Sequence, residues 1–183
     1  MLRRLRAYVQ SLRRFRVWHR YLGLGLALFL LVSAVTGLLL GWKKDADWIQ
    51  PPTQRGEAKS LSAWLPLDRL ADTATAGLYA ARPDQRGNPV DRLDVRPGKG
   101  IVKVLFEQDN WEVQVDGGTG AVLSVAKRHS DWIESLHDGS IISDGFKLVS
   151  MNALGAGLVL MTATGVWLWY GPRVVRRIKG RQR

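Results

Sequence analysis

A chain of 183 residues, 46% of them hydrophobic, has room for one domain or two small ones and is too apolar for a disordered polymer. The absence of cysteine excludes disulfides, thiolate metal sites, iron-sulfur clusters and covalently attached c-type haem. A net charge of +11 would suit nucleic acid, but the net positive charge gathers at the two ends, outside long charge-free apolar runs, so the expected partner is a lipid bilayer and not nucleic acid.

Residues 1–20 carry seven Arg and no acid. Leu2, Leu5, Tyr8, Val9, Leu12 and Phe15 recur there at three- and four-residue spacing with the Arg residues mostly opposite, which predicts an amphipathic basic helix on the inner leaflet. Tyr21 to Trp42 then runs 22 residues without a charge, enough to cross a ~30 Å hydrocarbon core at 1.5 Å per residue. Arg13 to Arg16 faintly resembles a twin-arginine signal. A cleavable apolar region is shorter and ends at a small-x-small site, so a retained span over 21–42 is expected. Trp18 and Tyr21 at one end, and Trp42 and Trp48 at the other, fit two aromatic belts. Ser33, Gly37 and Gly41 stand four apart and offer a small face to another helix, of this chain or of another copy.

Residues 43–145 read as a small separate domain. Leu61 to Leu78 carries apolar residues at helical spacing, with Ser62 or Asp68 as candidate caps. After the turn-forming stretch 82–89 the period changes to two: Val90, Leu93 and Val95 suggest one strand. Ile101 to Phe106 and Trp111 to Val115 form a hairpin across Gln108-Asp109-Asn110, and Asp116-Gly117-Gly118-Thr119-Gly120 turns into Ala121 to Ala126. The fold class is therefore two transmembrane helices plus a small α+β domain of one helix and about four antiparallel strands.

Leu148 to Tyr170 is a second charge-free run, of 23 residues, within a span over 146–170, with Ala153 and Gly157 as small residues four apart and Trp167, Trp169 and Tyr170 at its end. The tail, 171–183, has six basic residues and no acid, and all 16 Asp and Glu fall between the two spans. The positive-inside rule then puts both termini in the cytoplasm and residues 43–145 on the other side of the membrane.

Three histidines are the candidate chemical groups. His19 lies at the mouth of the first span, His137 about ten residues before the second, and His129 in the segment after the last strand. An imidazole at a helix end in a membrane is either an interfacial polar group or a ligand for haem iron or a metal, and both readings stand for His19 and His137. His129 reads as solvated. The acid pairs Asp45/Asp47 and Asp138/Asp144 read as loop charges rather than a cation site. No nucleophile triad, HExxH, phosphate loop or dinucleotide fingerprint is present, so the sequence shows no self-contained catalytic constellation.

Trp18-His19-Arg20-Tyr21-Leu22-Gly23-Leu24, leading to Thr36-Gly37, resembles the first helix of the PepSY-associated transmembrane family. Leu136-His137-Asp138-Gly139, followed by Ala163-Thr164-Gly165-Val166-Trp167-Leu168-Trp169, resembles that family's closing helix, and Trp111 to Leu123 resembles a PepSY strand-turn-strand with its D-x-x-T-G turn. The resemblance implies a PepSY-like periplasmic domain. It also implies b-type haem on His19 and His137 as iron ligands, and electron transfer across the inner membrane related to ferric-siderophore reduction. Because the two histidines lie at opposite faces of a ~30 Å core, one monomer cannot ligate one haem through both, and a carrier requires two copies to associate. Two other roles fit the same family: an accessory or assembly subunit of a larger inner-membrane redox complex, and a PepSY regulator of a periplasmic protein.

Overall fold

The computed structural model describes residues 2–180; Arg181 and Arg183 of the basic tail, and the side chains of Leu2 and Leu5, lie outside the described residues. The chain divides into two compact units, one formed by its N-terminal part to Gly37 together with everything from Ser135, the other by Leu38–Glu134.

The first unit is built on two long helices, α1 (Leu2–Gly41) and α4 (Asp144–Gly180), with the end of a short helix, α3 (His129–Asp138). From Leu2 the basic segment and the first span are one unbroken helix, and α4 likewise continues through Pro172 into the basic tail. Proline removes a single helical N–H here, and the guanidinium of Arg173 donates to the Trp169 carbonyl at 2.9 Å beside it. Only 6% of the most apolar stretch of either helix is buried, and Leu24, Leu28 and Val149 are each about 70% exposed. A core helix of a water-soluble domain would bury that surface; these helices present it to lipid.

The helices run antiparallel at close range, because glycine on one admits a side chain of the other. Leu12 sits on Gly171, Leu26 on Gly157 and Met161 on Gly23, and a Cβ at any of these glycines would collide with its partner. Trp167 adds a stacked contact with Tyr8 and an edge contact with Phe15, at 6.3 and 6.4 Å between centroids.

The second unit is an antiparallel sheet in the order β1 (Val90–Arg96), β2 (Ile101–Phe106), β3 (Trp111–Asp116), β4 (Val122–Lys127), with α2 (Leu67–Ala81) on one face. The strands fall where the two-residue period puts them. The helix is shorter than its apolar pattern, since Pro66 stands at its N-cap and fixes the start, so neither Ser62 nor Asp68 caps it. Leu70, Ala74 and Leu78 of α2 bury against Val102, Val104, Val113 and Val115. The β2–β3 turn places Asp109 and Asn110 at φ 62° and 56°, the left-handed pair a tight hairpin requires.

The opposite face of β2 and β3 is also closed to water. The segment before α2 lies over it: Gln54 N–H donates to Gln114 Oε1 at 2.8 Å, Gln114 Nε2 donates to the Pro52 carbonyl, and Glu57 N–H donates to Asp116 Oδ2. Gly56 makes this approach feasible, since its Cα faces the Gly100 carbonyl with no room for a Cβ. Asp116 also accepts from the Gly118 and Thr119 N–H groups of its turn. Burial opposes its charge, yet these three donors hold its carboxyl below the usual range. Under this cover lies a buried ionic cluster of Lys103, Glu112 and Arg128.

Candidate cofactor site

His19 is on α1 and His137 on the last turn of α3. Both are half-buried, and each is held by the same device on a facing helix. His19 Nδ1 is 2.7 Å from Thr164 Oγ1 of α4, and His137 Nδ1 is 3.0 Å from Thr36 Oγ1 of α1, with Ser33 Oγ at 3.5 Å.

Each threonine is followed by a glycine that leaves space for the ring. A Cβ on Gly165 would stand 3.6 Å from His19 Cε1, and one on Gly37 would stand 3.3 Å from His137 Cε1. The dipeptides Thr36-Gly37 and Thr164-Gly165 are thus two matching seats, each occupied by a histidine from another helix.

The seats assign the tautomer. A hydroxyl has one proton, and each threonine is 2.7 Å from the carbonyl four residues back, Val32 for Thr36 and Leu160 for Thr164. With that proton given to the carbonyl, Oγ1 accepts from Nδ1–H of the imidazole, so Nε2 keeps its lone pair. Neither Nε2 has a hydrogen-bond partner among the described residues. Orientation of a ring through Nδ1–H, with Nε2 left basic, is what second-shell groups do for a metal-ligating histidine.

α3 is the element that the sequence pattern leaves unassigned, and it fixes His137 more firmly than a loop would. Gly139, at φ 81°, ends the helix directly after Asp138, and a Cβ there would press on Phe146 at 2.9 Å. Asp138 Oδ1 accepts from Ser140 N–H at 2.9 Å and Oδ2 pairs with Lys147 at 2.6 Å. Burial opposes the Asp138 charge, but Lys147 and Ser140 outweigh it and hold the carboxyl at about 2.

The two seats are separate. His19 and Thr36 are seventeen residues apart on one continuous helix, which is about 25 Å along its axis. One chain therefore brings a single imidazole to each seat, and the two histidines do not meet. Trp18 and Tyr21, beside His19 and read as part of an aromatic belt, are 71% and 59% exposed. His129 is exposed, as its position suggests. Among the described residues no group of three or more His, Asp or Glu gathers to hold a metal ion, and Asp138 is taken by Lys147.

No curated protein matches the chain. The profile of the PepSY-associated TM region, however, matches residues 16–183, which takes in both spans, both threonine seats, both histidines and the whole sheet. On that match the chain, a membrane protein with two spans and a four-stranded domain between them, belongs to the PepSY-associated TM region family.

Proposed function

We propose that the protein is a b-haem-binding electron-transfer component of the bacterial inner membrane, with His19 and His137 as iron ligands. Both termini lie in the cytoplasm and the PepSY-like domain in the periplasm. The observation that carries this reading is the pair of threonine seats, which leave both Nε2 atoms free to ligate. The residues present fit the group with one imidazole, His19 or His137, that would hold it at each of two levels, and the absence of cysteine makes any haem there non-covalent. Bound haem would supply one-electron chemistry. The chain's own part is to orient the imidazoles, keep Nδ1 protonated, and hold the two levels about 25 Å apart. A second copy would supply a second imidazole at each level by bringing the same histidine to it. Ferric-siderophore reduction is the activity expected of such a carrier within the family.

The test is a visible spectrum of the full chain purified in detergent after expression with ample haem. A Soret band that loses separate fractions in His19→Ala and His137→Ala is the expected result, with Thr164→Val and Thr36→Val shifting the corresponding fraction without abolishing insertion. A colourless wild type, or a band that neither histidine substitution alters, overturns the carrier reading in favour of an accessory subunit.

A further inference from the structure

The domain 38–134 holds a cavity of about 800 Å³ that the carrier reading leaves unused. Lys43, Lys44, Arg92, Arg96, Lys99 and Arg128 line it, with Asp94 the only carboxylate on its wall among the described residues. Four of these cations have protein partners: Lys43 pairs with Glu134, Arg92 with Asp91, Arg96 with Asp94, and Arg128 with Asp131 and Glu112. Among the described residues Lys44 and Lys99 have no carboxylate partner, so the wall carries two positive charges that none of them compensates.

A second observation concerns hydrogen bonding. Gln50 and Arg128 both line the cavity, and each keeps a buried polar atom without a partner, the acceptor Gln50 Oε1 and the donor Arg128 Nε. Such atoms are rare in native proteins because a buried group without a partner loses its hydration for nothing. A ligand that satisfies both offers an acceptor oxygen to Arg128 Nε and a donor, such as a hydroxyl, to Gln50 Oε1.

We propose that this cavity binds a phosphate ester whose alcohol part keeps a free hydroxyl, as phosphoglycerol does. The phosphate answers the surplus charge of Lys44 and Lys99 and accepts from Arg128, while the hydroxyl donates to Gln50. A single carboxylate would leave one lysine uncompensated, and inorganic phosphate alone would leave most of the volume empty. A lipid headgroup and a soluble ester share this chemistry. Lys43 and Lys44 are the first charges after the charge-free run that ends at Trp42, so chain connectivity keeps them within a few residues of the hydrocarbon edge, where headgroups lie.

The test uses the full chain. Calorimetric titration in neutral detergent with glycerol 1-phosphate, inorganic phosphate and glycerol covers the soluble source. Native mass spectrometry after reconstitution in phosphatidylcholine with or without phosphatidylglycerol covers the lipid. Saturable binding of glycerol 1-phosphate tighter than of inorganic phosphate, or selective retention of phosphatidylglycerol, supports the site and identifies its source. In either case Lys44→Gln with Lys99→Gln, both exposed positions, lowers affinity by about tenfold or more. Gln50→Leu erases the preference for the hydroxyl-bearing ligand while phosphate binding persists. Binding that the double lysine variant leaves unchanged, or no binding of either kind, overturns the proposal.

Discussion

Lys103 and Glu112 lie diagonally across the β2–β3 pair, 2.9 Å apart, and neither side chain is reachable by water. Glu112 also accepts from Gln114 Nε2 at 2.8 Å and faces Arg128 at 3.3 Å, so one carboxylate serves two cations and an amide inside the domain. Glu112→Gln would leave the Lys103 ammonium buried without a counter-charge, a change that costs about 3–5 kcal/mol. Urea unfolding of the variant, followed by near-ultraviolet circular dichroism, should show a midpoint far below the parent's. A shift equivalent to under about 1 kcal/mol would mean that water enters this face.

The two threonine seats differ in clearance, and alanine reads the difference. At Gly37 a methyl group stands 3.3 Å from His137, tighter than ordinary contact, whereas at Gly165 it stands 3.6 Å from His19 and fits. Gly37→Ala should therefore perturb any signal that depends on His137, and Gly165→Ala should leave the His19 signal intact. The His137 Nε2 chemical shift in selectively labelled protein measures this without a cofactor. Equal responses at both positions would contradict the seats.

Close packing of α1 on α4 rests on particular glycines. Gly171→Ala and Gly157→Ala force Leu12 and Leu26 outward and should each lower the thermal midpoint in detergent, by the equivalent of about 1–3 kcal/mol. Gly155→Ala, which meets nothing within 4 Å, should have no effect and serves as the control.

The Asp138 carboxyl, held at about 2 by Lys147 and Ser140, titrates below its unfolded value of 3.8. Its contribution is therefore fully present above about pH 4 and is lost as pH falls through about 2. Acid unfolding of the helical unit should begin in that window. In Asp138→Asn the unit should already be less stable at neutral pH, with a flatter profile between pH 4 and 2. Superimposable acid curves for parent and variant would show that the Lys147 pair contributes nothing.

Much of this architecture is readable from periodicity. The strands, the spans and the Asp116 turn follow from alternation, charge-free length and turn chemistry, because each is a local signal. The buried face of β2 and β3 is not readable in that way: Lys103, Glu112 and Gln114 alternate with valines as solvent-facing residues do, and only the return of the 52–58 segment over the sheet closes them off. α3 is hidden because ten largely polar residues carry few apolar positions, although Trp132, Ile133 and Leu136 at helical spacing and the stop at Gly139 were available signals. The histidines stand out by type and place, and their seats do not. A Thr-Gly pair occurs in each span, but its meaning depends on which residue of another helix faces it.

That dependence has a consequence for assembly. Each imidazole and its hydroxyl partner are on different helices, His19 on α1 with Thr164 on α4, His137 on α3 with Thr36 on α1. A chain with only its first span inserted leaves His19 free to rotate and to change tautomer, and nothing yet occupies the Thr36 seat. The His19 ring is thus fixed only when the last helix is in place, whereas the Thr36 seat closes as soon as α3 docks on α1, so the two imidazoles lose their freedom at different stages of assembly.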